Sequence, residues 1–139
     1  MPIKSEDDLI TTRKRVREIA ADVGFDLTDT TRLVTAASEL ARNILQHAGQ
    51  GSMLCSHHQR AGANGVQIRG VELVFADEGP GIADVDMAMQ PGFSTSAIPS
   101  LGLGLPGVKR LVDEMDVTSQ PGKGTTVKVR KWLSRKRIY

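Results

Sequence analysis

Glu39 and Asn43 stand four residues apart in Ser38-Glu-Leu-Ala-Arg-Asn43 and form the first pair whose types could do chemistry. On a helix that spacing puts a carboxylate and a carboxamide on one face, one turn apart. Asn43 offers a hard oxygen suited to Mg²⁺, and Glu39 offers a proton acceptor. Alone, the pair reads more simply as two surface residues of a helix. Asp77 adds to it by closing an apolar run that is followed at once by Glu78-Gly-Pro-Gly81. A carboxylate fixed there can satisfy turn amides or accept hydrogen bonds from the exocyclic amine of adenine. Gly79 and Gly81 let backbone approach a flat base closely. Guanine has no amine at that position, so such a site prefers ATP to GTP.

Two glycine-rich stretches follow. Gly102-Leu-Gly-Leu-Pro-Gly107 has the glycine spacing of a dinucleotide loop, but that fingerprint must follow a strand and this one follows a segment bearing Pro99 and Ser100. Nor is there a P-loop, since Lys123 is followed by Gly124. What remains is a turn through Gly102, Leu103, Gly104 and Leu105 that feeds a helix start, where free amides and the helix dipole favour phosphate. A plain flexible loop would look the same in isolation. Gly122-Lys-Gly-Thr-Thr126 opens a strand, and the Thr125 hydroxyl beside Asp77 would help fix the adenine directly or through water.

These residues need elements to position them. Ser5, with acids at 6–8 behind it, starts a helix that Gly24 ends. A second helix is expected from about 28 to 48, stopped by Gly49. On its wheel Leu33, Ala37, Leu40 and Ile44 form the core stripe, Glu39 and Asn43 flank it, and Arg42 points to solvent. Strands are expected near 51–60 and 66–76, joined by a hairpin-type connection through residues 61–65, and a short helix near 84–89. Residues 90–101 have no periodicity and read as a lid. A third helix at about 105–114, with Pro106 in its first turn, and strands near 116–120 and 124–133 close the pattern. The expected fold is an α/β two-layer sandwich, its mixed, mainly antiparallel sheet covered by helices on one face.

The bulk properties bound the rest. A chain of 139 residues, 40% hydrophobic and 24% charged, is one domain of ordinary globular composition. A net charge of +2 is too small to argue for nucleic acid. No apolar run approaches the ~20 residues of a membrane span, and the polar start is no signal peptide. Cys55 has no second cysteine to pair with, which fits a reducing cytoplasm. Cys55, His57 and His58 lie along one strand with alternating faces, so an ordinary strand is the simpler reading than a metal site. Lys128, Arg130, Lys131, Arg135, Lys136 and Arg137 read as a solvated strand face and basic tail, open to acidic protein partners.

Taken together, the motifs resemble those of the Bergerat-fold ATP-binding superfamily shared by gyrase B, Hsp90, histidine kinases and MutL. Residues 39–43 are similar to its N box, 77–81 to its G1 box, 102–105 to its G2 box and 122–126 to its Gly-Thr box. Within it, Ser38 to Ile44, Gly92 to Ser96 and Gly104 to Leu111 resemble the RsbT-like, switch-type serine/threonine kinases of bacterial stressosomes. The likeness runs nearly end to end. It implies that Asn43 holds Mg²⁺, Asp77 binds the adenine amine, and Gly79 and Gly81 line the base. It further implies that Gly102 to Leu105 surround the phosphates and that Glu39 is the catalytic base activating a protein hydroxyl. Implied partners are STAS-domain scaffold or antagonist proteins, phosphorylated on Ser or Thr, and a PP2C-type phosphatase activated by binding. Ala97-Ile-Pro-Ser100 departs from the shorter, glycine-richer lid of that group. No second domain is expected to supply a phosphate-contacting lysine, so phosphate should pass to another protein. The runner-up is an anti-sigma factor that sequesters a sigma factor and phosphorylates its antagonist; a third reading is a nucleotide-gated adaptor without catalysis.

Overall fold

The computed structural model describes residues 1–81, 89 and 104–133. Along the chain come β1 (Pro2–Ile3), α1 (Glu6–Val23), α2 (Leu27–His47), β2 (Gly51–Ala61), β3 (Gln67–Asp77), α3 (Gly104–Lys109), β4 (Glu114–Gln120) and β5 (Gly124–Trp132). The sheet order is β1-β2-β3-β5-β4, and all four pairings are antiparallel. The expected two-layer sandwich is therefore present. Residues 84–88 of the expected helix at 84–89, the lid at 90–101 and the basic residues beyond 133 lie outside the described residues.

Local chemistry sets the helix ends. Ser5 is extended at the N-cap of α1, and the Asp8 carboxylate accepts from the amides of Lys4 and Ser5 at 2.8 and 3.2 Å. Gly24 closes α1 at φ 103°, the left-handed geometry that suits glycine. Asp26, two residues upstream of the expected start, caps α2 by accepting from Asp29 N at 2.8 Å. The Leu33, Ala37, Leu40, Ile44 stripe of α2 is buried as its spacing requires. It packs with Leu9, Val16 and Ile19 of α1 against Met53, Val71, Leu73, Phe75, Val127 and Val129, which share one sheet face. Each fully buried Leu, Ile or Phe contributes ~1.5–3 kcal/mol.

Two expectations change. The third helix stops at Lys109 instead of running to 114. Leu111 N bonds to Val108 O, Asp113 N bonds to Arg130 O, and Glu114 then pairs with Arg130 across β4 and β5. Apolar residues at 105, 108 and 112 fit a helix, but the strand pairing claims the backbone. The basic strand face also differs from a solvated one. Lys131 is buried, its Nζ 3.3 Å from Leu111 O and 3.6 Å from Asp29 Oδ1. Arg130 Nε donates to Glu72 at 2.6 Å, and that bond holds the guanidinium pKa above its ordinary value. The open sheet face also carries Leu54, with 66% of its surface exposed.

Candidate functional site

One row of residues crosses the sheet at its end. Register places Gly51 opposite Asp77, Asp77 opposite Thr125, and Thr125 opposite Ser119. Side chains alternate along a strand, so Asp77 continues the inward series Val71, Leu73, Phe75, and Thr125 the series Val127, Val129. The polar row thus lies on the helix side of the sheet, just beyond the core.

Asp77 is held as a receiver of hydrogen bonds. Its Oδ1 accepts from Gly79 N at 2.9 Å and from Thr125 N at 3.3 Å. Among the described residues Oδ2 accepts none. The turn amides and a ligand are therefore not competing readings, because the carboxylate has an oxygen for each. Backbone crowds closely around it. Gly124 has φ 103°, and a Cβ there would sit 2.1 Å from Asp77 O. At Gly79 a Cβ would sit 2.6 Å from Ala48 Cβ, so the loop after Asp77 lies against the end of α2. Gly122 N donates to Pro80 O at 2.7 Å and ties that loop to the β4–β5 turn.

The second wall is α2. Ile44 comes within 2.8 Å of where a Cβ on Gly51 would be, so this part of the helix overlies the polar row. At 1.5 Å rise per residue, Asn43 lies about 7.5 Å and Glu39 about 13.5 Å up the helix from Ala48. Asn43 is half-buried. Glu39 is deeper than the flank position its spacing suggests, with no exposed surface and, among the described residues, no hydrogen bond to either carboxylate oxygen. Among the described residues Arg42 is its charged neighbour, with Nη1 3.6 Å from Oε1. Arg42 therefore leans back over Glu39 instead of pointing to solvent, as an i, i+3 ion pair allows. A buried polar group without hydrogen bonds costs about 1–3 kcal/mol and a charged one more, and such a cost is commonly tolerated where the group has a task.

Gly104 opens α3 at φ 56°, and the Leu105 side chain packs into the core. Gly102 and Leu103 lie outside the described residues. Spacing alone missed Ser119, whose hydroxyl stands 2.9 Å from Thr125 Oγ1. Its inward parity on β4, next to the Gly-Thr turn, was the available signal. No cluster of three His, Cys, Asp or Glu side chains able to hold a metal occurs among the described residues. A magnesium ion here would thus need phosphate oxygens besides Asn43, and Asn43 fits that shared role.

The geometry has counterparts. A family model described as the histidine kinase-like ATPase domain matches residues 3–131. The Serine/threonine-protein kinase RsbT of Bacillus subtilis (strain 168) is 43% identical over 131 residues, 94% of this chain and 93% of that protein. An Anti-sigma F factor of Caldanaerobacter subterraneus subsp. tengcongensis is 32% identical over 132 residues, 90% of this chain and 85% of that protein. Among solved structures, the RsbU and RsbW domains of a Mycobacterium tuberculosis protein superpose with a TM-score of 0.58 at 21% identity. That match covers 98% of this chain and 33% of the other, and it bears on the fold alone.

Proposed function

Because this chain belongs to the histidine kinase-like ATPase domain family, we propose that it is an ATP-dependent serine/threonine protein kinase of a bacterial partner-switching pathway. The observation that carries the reading is Glu39, a fully buried carboxylate with no hydrogen-bond partner among the described residues, on the helix that overlies the Asp77 row. Similarity to a named serine/threonine kinase across 94% of the chain supports it.

In this reading Asp77 accepts the adenine amine, and Gly79 and Gly81 line the base. Thr125 supports the base edge, while Gly102 to Leu105 approach the phosphates. Asn43 holds Mg²⁺, which when bound neutralises phosphate charge. Phosphoryl transfer depends mainly on positioning and electrostatics, and Glu39 orients and deprotonates the incoming Ser or Thr hydroxyl of the substrate protein. The oxygens of Glu39, which take no hydrogen bond among the described residues, are available to that hydroxyl. The substrates are STAS-domain scaffold or antagonist proteins, and a PP2C-type phosphatase is a second binding partner. No helix among the described residues is long and apolar enough to cross a membrane, and the lone Cys55 supports a cytoplasmic location.

The test is transfer of radiolabelled γ-phosphate from ATP to candidate STAS proteins, with Glu39→Gln alongside. Transfer by the parent and its loss in the variant is the expected result; parent protein that binds ATP but labels no partner would leave an adaptor. Similarity to the Anti-sigma F factor favours a second reading, sequestration of a sigma factor. Recovery of a sigma factor instead of a STAS protein in a pull-down would select it.

A further inference from the structure

We infer that Ser119 is a positioning residue for base selection, fixing the direction of the Thr125 hydroxyl proton so that the base edge meets acceptors only. The inference rests on the nucleotide-site reading above. Ser119 Oγ lies 3.0 Å from Gly124 O and 2.9 Å from Thr125 Oγ1. A carbonyl oxygen can only accept, and a serine hydroxyl has one proton. Ser119 therefore donates to Gly124 O, and its lone pairs receive the proton of Thr125. This pairing uses the single Thr125 proton inside the protein, so Oγ1 presents lone pairs to anything further.

Asp77 reinforces the pattern across the strand pair. Its Oδ1 is engaged by two backbone amides, and Oδ2 is again an acceptor. A ligand group between Oδ2 and Thr125 Oγ1 must then bring hydrogens, and an exocyclic amine brings two. A 6-oxo purine would set a third acceptor against them. Ser119 does not itself face the base. A Cβ on Gly81 would lie 2.2 Å from Gln120 O and 3.2 Å from Ser119 Oγ, so the loop after Asp77 covers it. Its influence passes through Thr125. Without Ser119 the Thr125 hydroxyl can rotate and donate, and a 6-oxo group becomes acceptable.

Calorimetric titration of the full chain with Mg-ATP and with Mg-ITP (inosine triphosphate) tests this. Ser119→Ala should lower the ATP-over-ITP affinity ratio about tenfold, the scale of one hydrogen bond changing sign. Ser119→Thr keeps the hydroxyl and should keep the ratio. In a Thr125→Val background the Ser119 substitution should leave the ATP-over-ITP ratio unmoved, since the effect on the ratio passes through the Thr125 hydroxyl. The inference is overturned if Ser119→Ala weakens both nucleotides equally, if the Thr variant loses the ratio too, or if the effect persists beside Thr125→Val. A parent chain that binds neither nucleotide overturns the site reading itself; one that binds ATP with an unmoved ratio overturns only the role of Ser119.

Discussion

Asp77 and Glu39 are both carboxylates, and their surroundings prepare them for different work. Asp77 is fixed by two amides, so Asp77→Asn keeps Oδ1 and its turn while placing a donor where Oδ2 was. ATP affinity should fall by about 1–2 kcal/mol, the worth of a charge-assisted hydrogen bond, with the fold unchanged. Calorimetry reads this directly, and equal affinity of the parent for ATP and GTP would contradict the assignment. Glu39 has no hydrogen bond to lose among the described residues. Glu39→Gln should therefore bind Mg-ATP near normally, unfold at no lower temperature than the parent, and transfer phosphate 10²–10⁴-fold more slowly, the usual cost of a missing general base. Wild-type transfer by this variant would make Glu39 structural. Asn43→Ala should instead weaken both nucleotide binding and transfer, measured on the same preparation.

At the level of elements, the site depends on how closely β5 approaches the end of β3. Gly124→Ala puts a side chain at φ 103° and 2.1 Å from Asp77 O. We expect a loss of at least about 2 kcal/mol in stability, visible in urea unfolding, together with loss of nucleotide binding, because the contact holds Asp77 and Thr125 in register. This strain could not be read from Gly-Lys-Gly-Thr-Thr, which specifies a turn but not what lies across it. What could be read was local. Helix ends at Gly24 and Gly49, the α2 stripe, the strands near 51–60 and 66–76 and the pairing of Glu39 with Asn43 follow from spacing and caps. β1 escaped notice because two residues are too short to show an alternation, although Pro2 and Ile3 pair with Ser52 and Gly51. The depth of Glu39 was equally hidden. A wheel gives the direction of a side chain but not the thickness of what packs over it.

For the whole molecule, the helices and the inward sheet face form one core that ends where the polar row begins. Phe75 stands one inward position before Asp77 and is 2% exposed; Phe75→Ala should cost about 3–5 kcal/mol in chemical denaturation and disturb the row above it. At the opposite end of the sheet Trp132 pairs with Gly70, its indole Nε1 donates to Glu114 Oε2, and Arg60 stacks over its ring at 4.8 Å. Seven residue steps along β5 separate it from Thr125, about 23 Å of extended chain, and the two side chains face opposite sides of the sheet. It is the chain's one tryptophan. Its fluorescence is thus an optical probe whose signal has been separated from the ligand by the architecture. Emission should stay nearly constant through a nucleotide titration and shift to the red in one step on denaturation, so a single fluorimeter trace can tell a variant that has lost its ligand from one that has lost its fold.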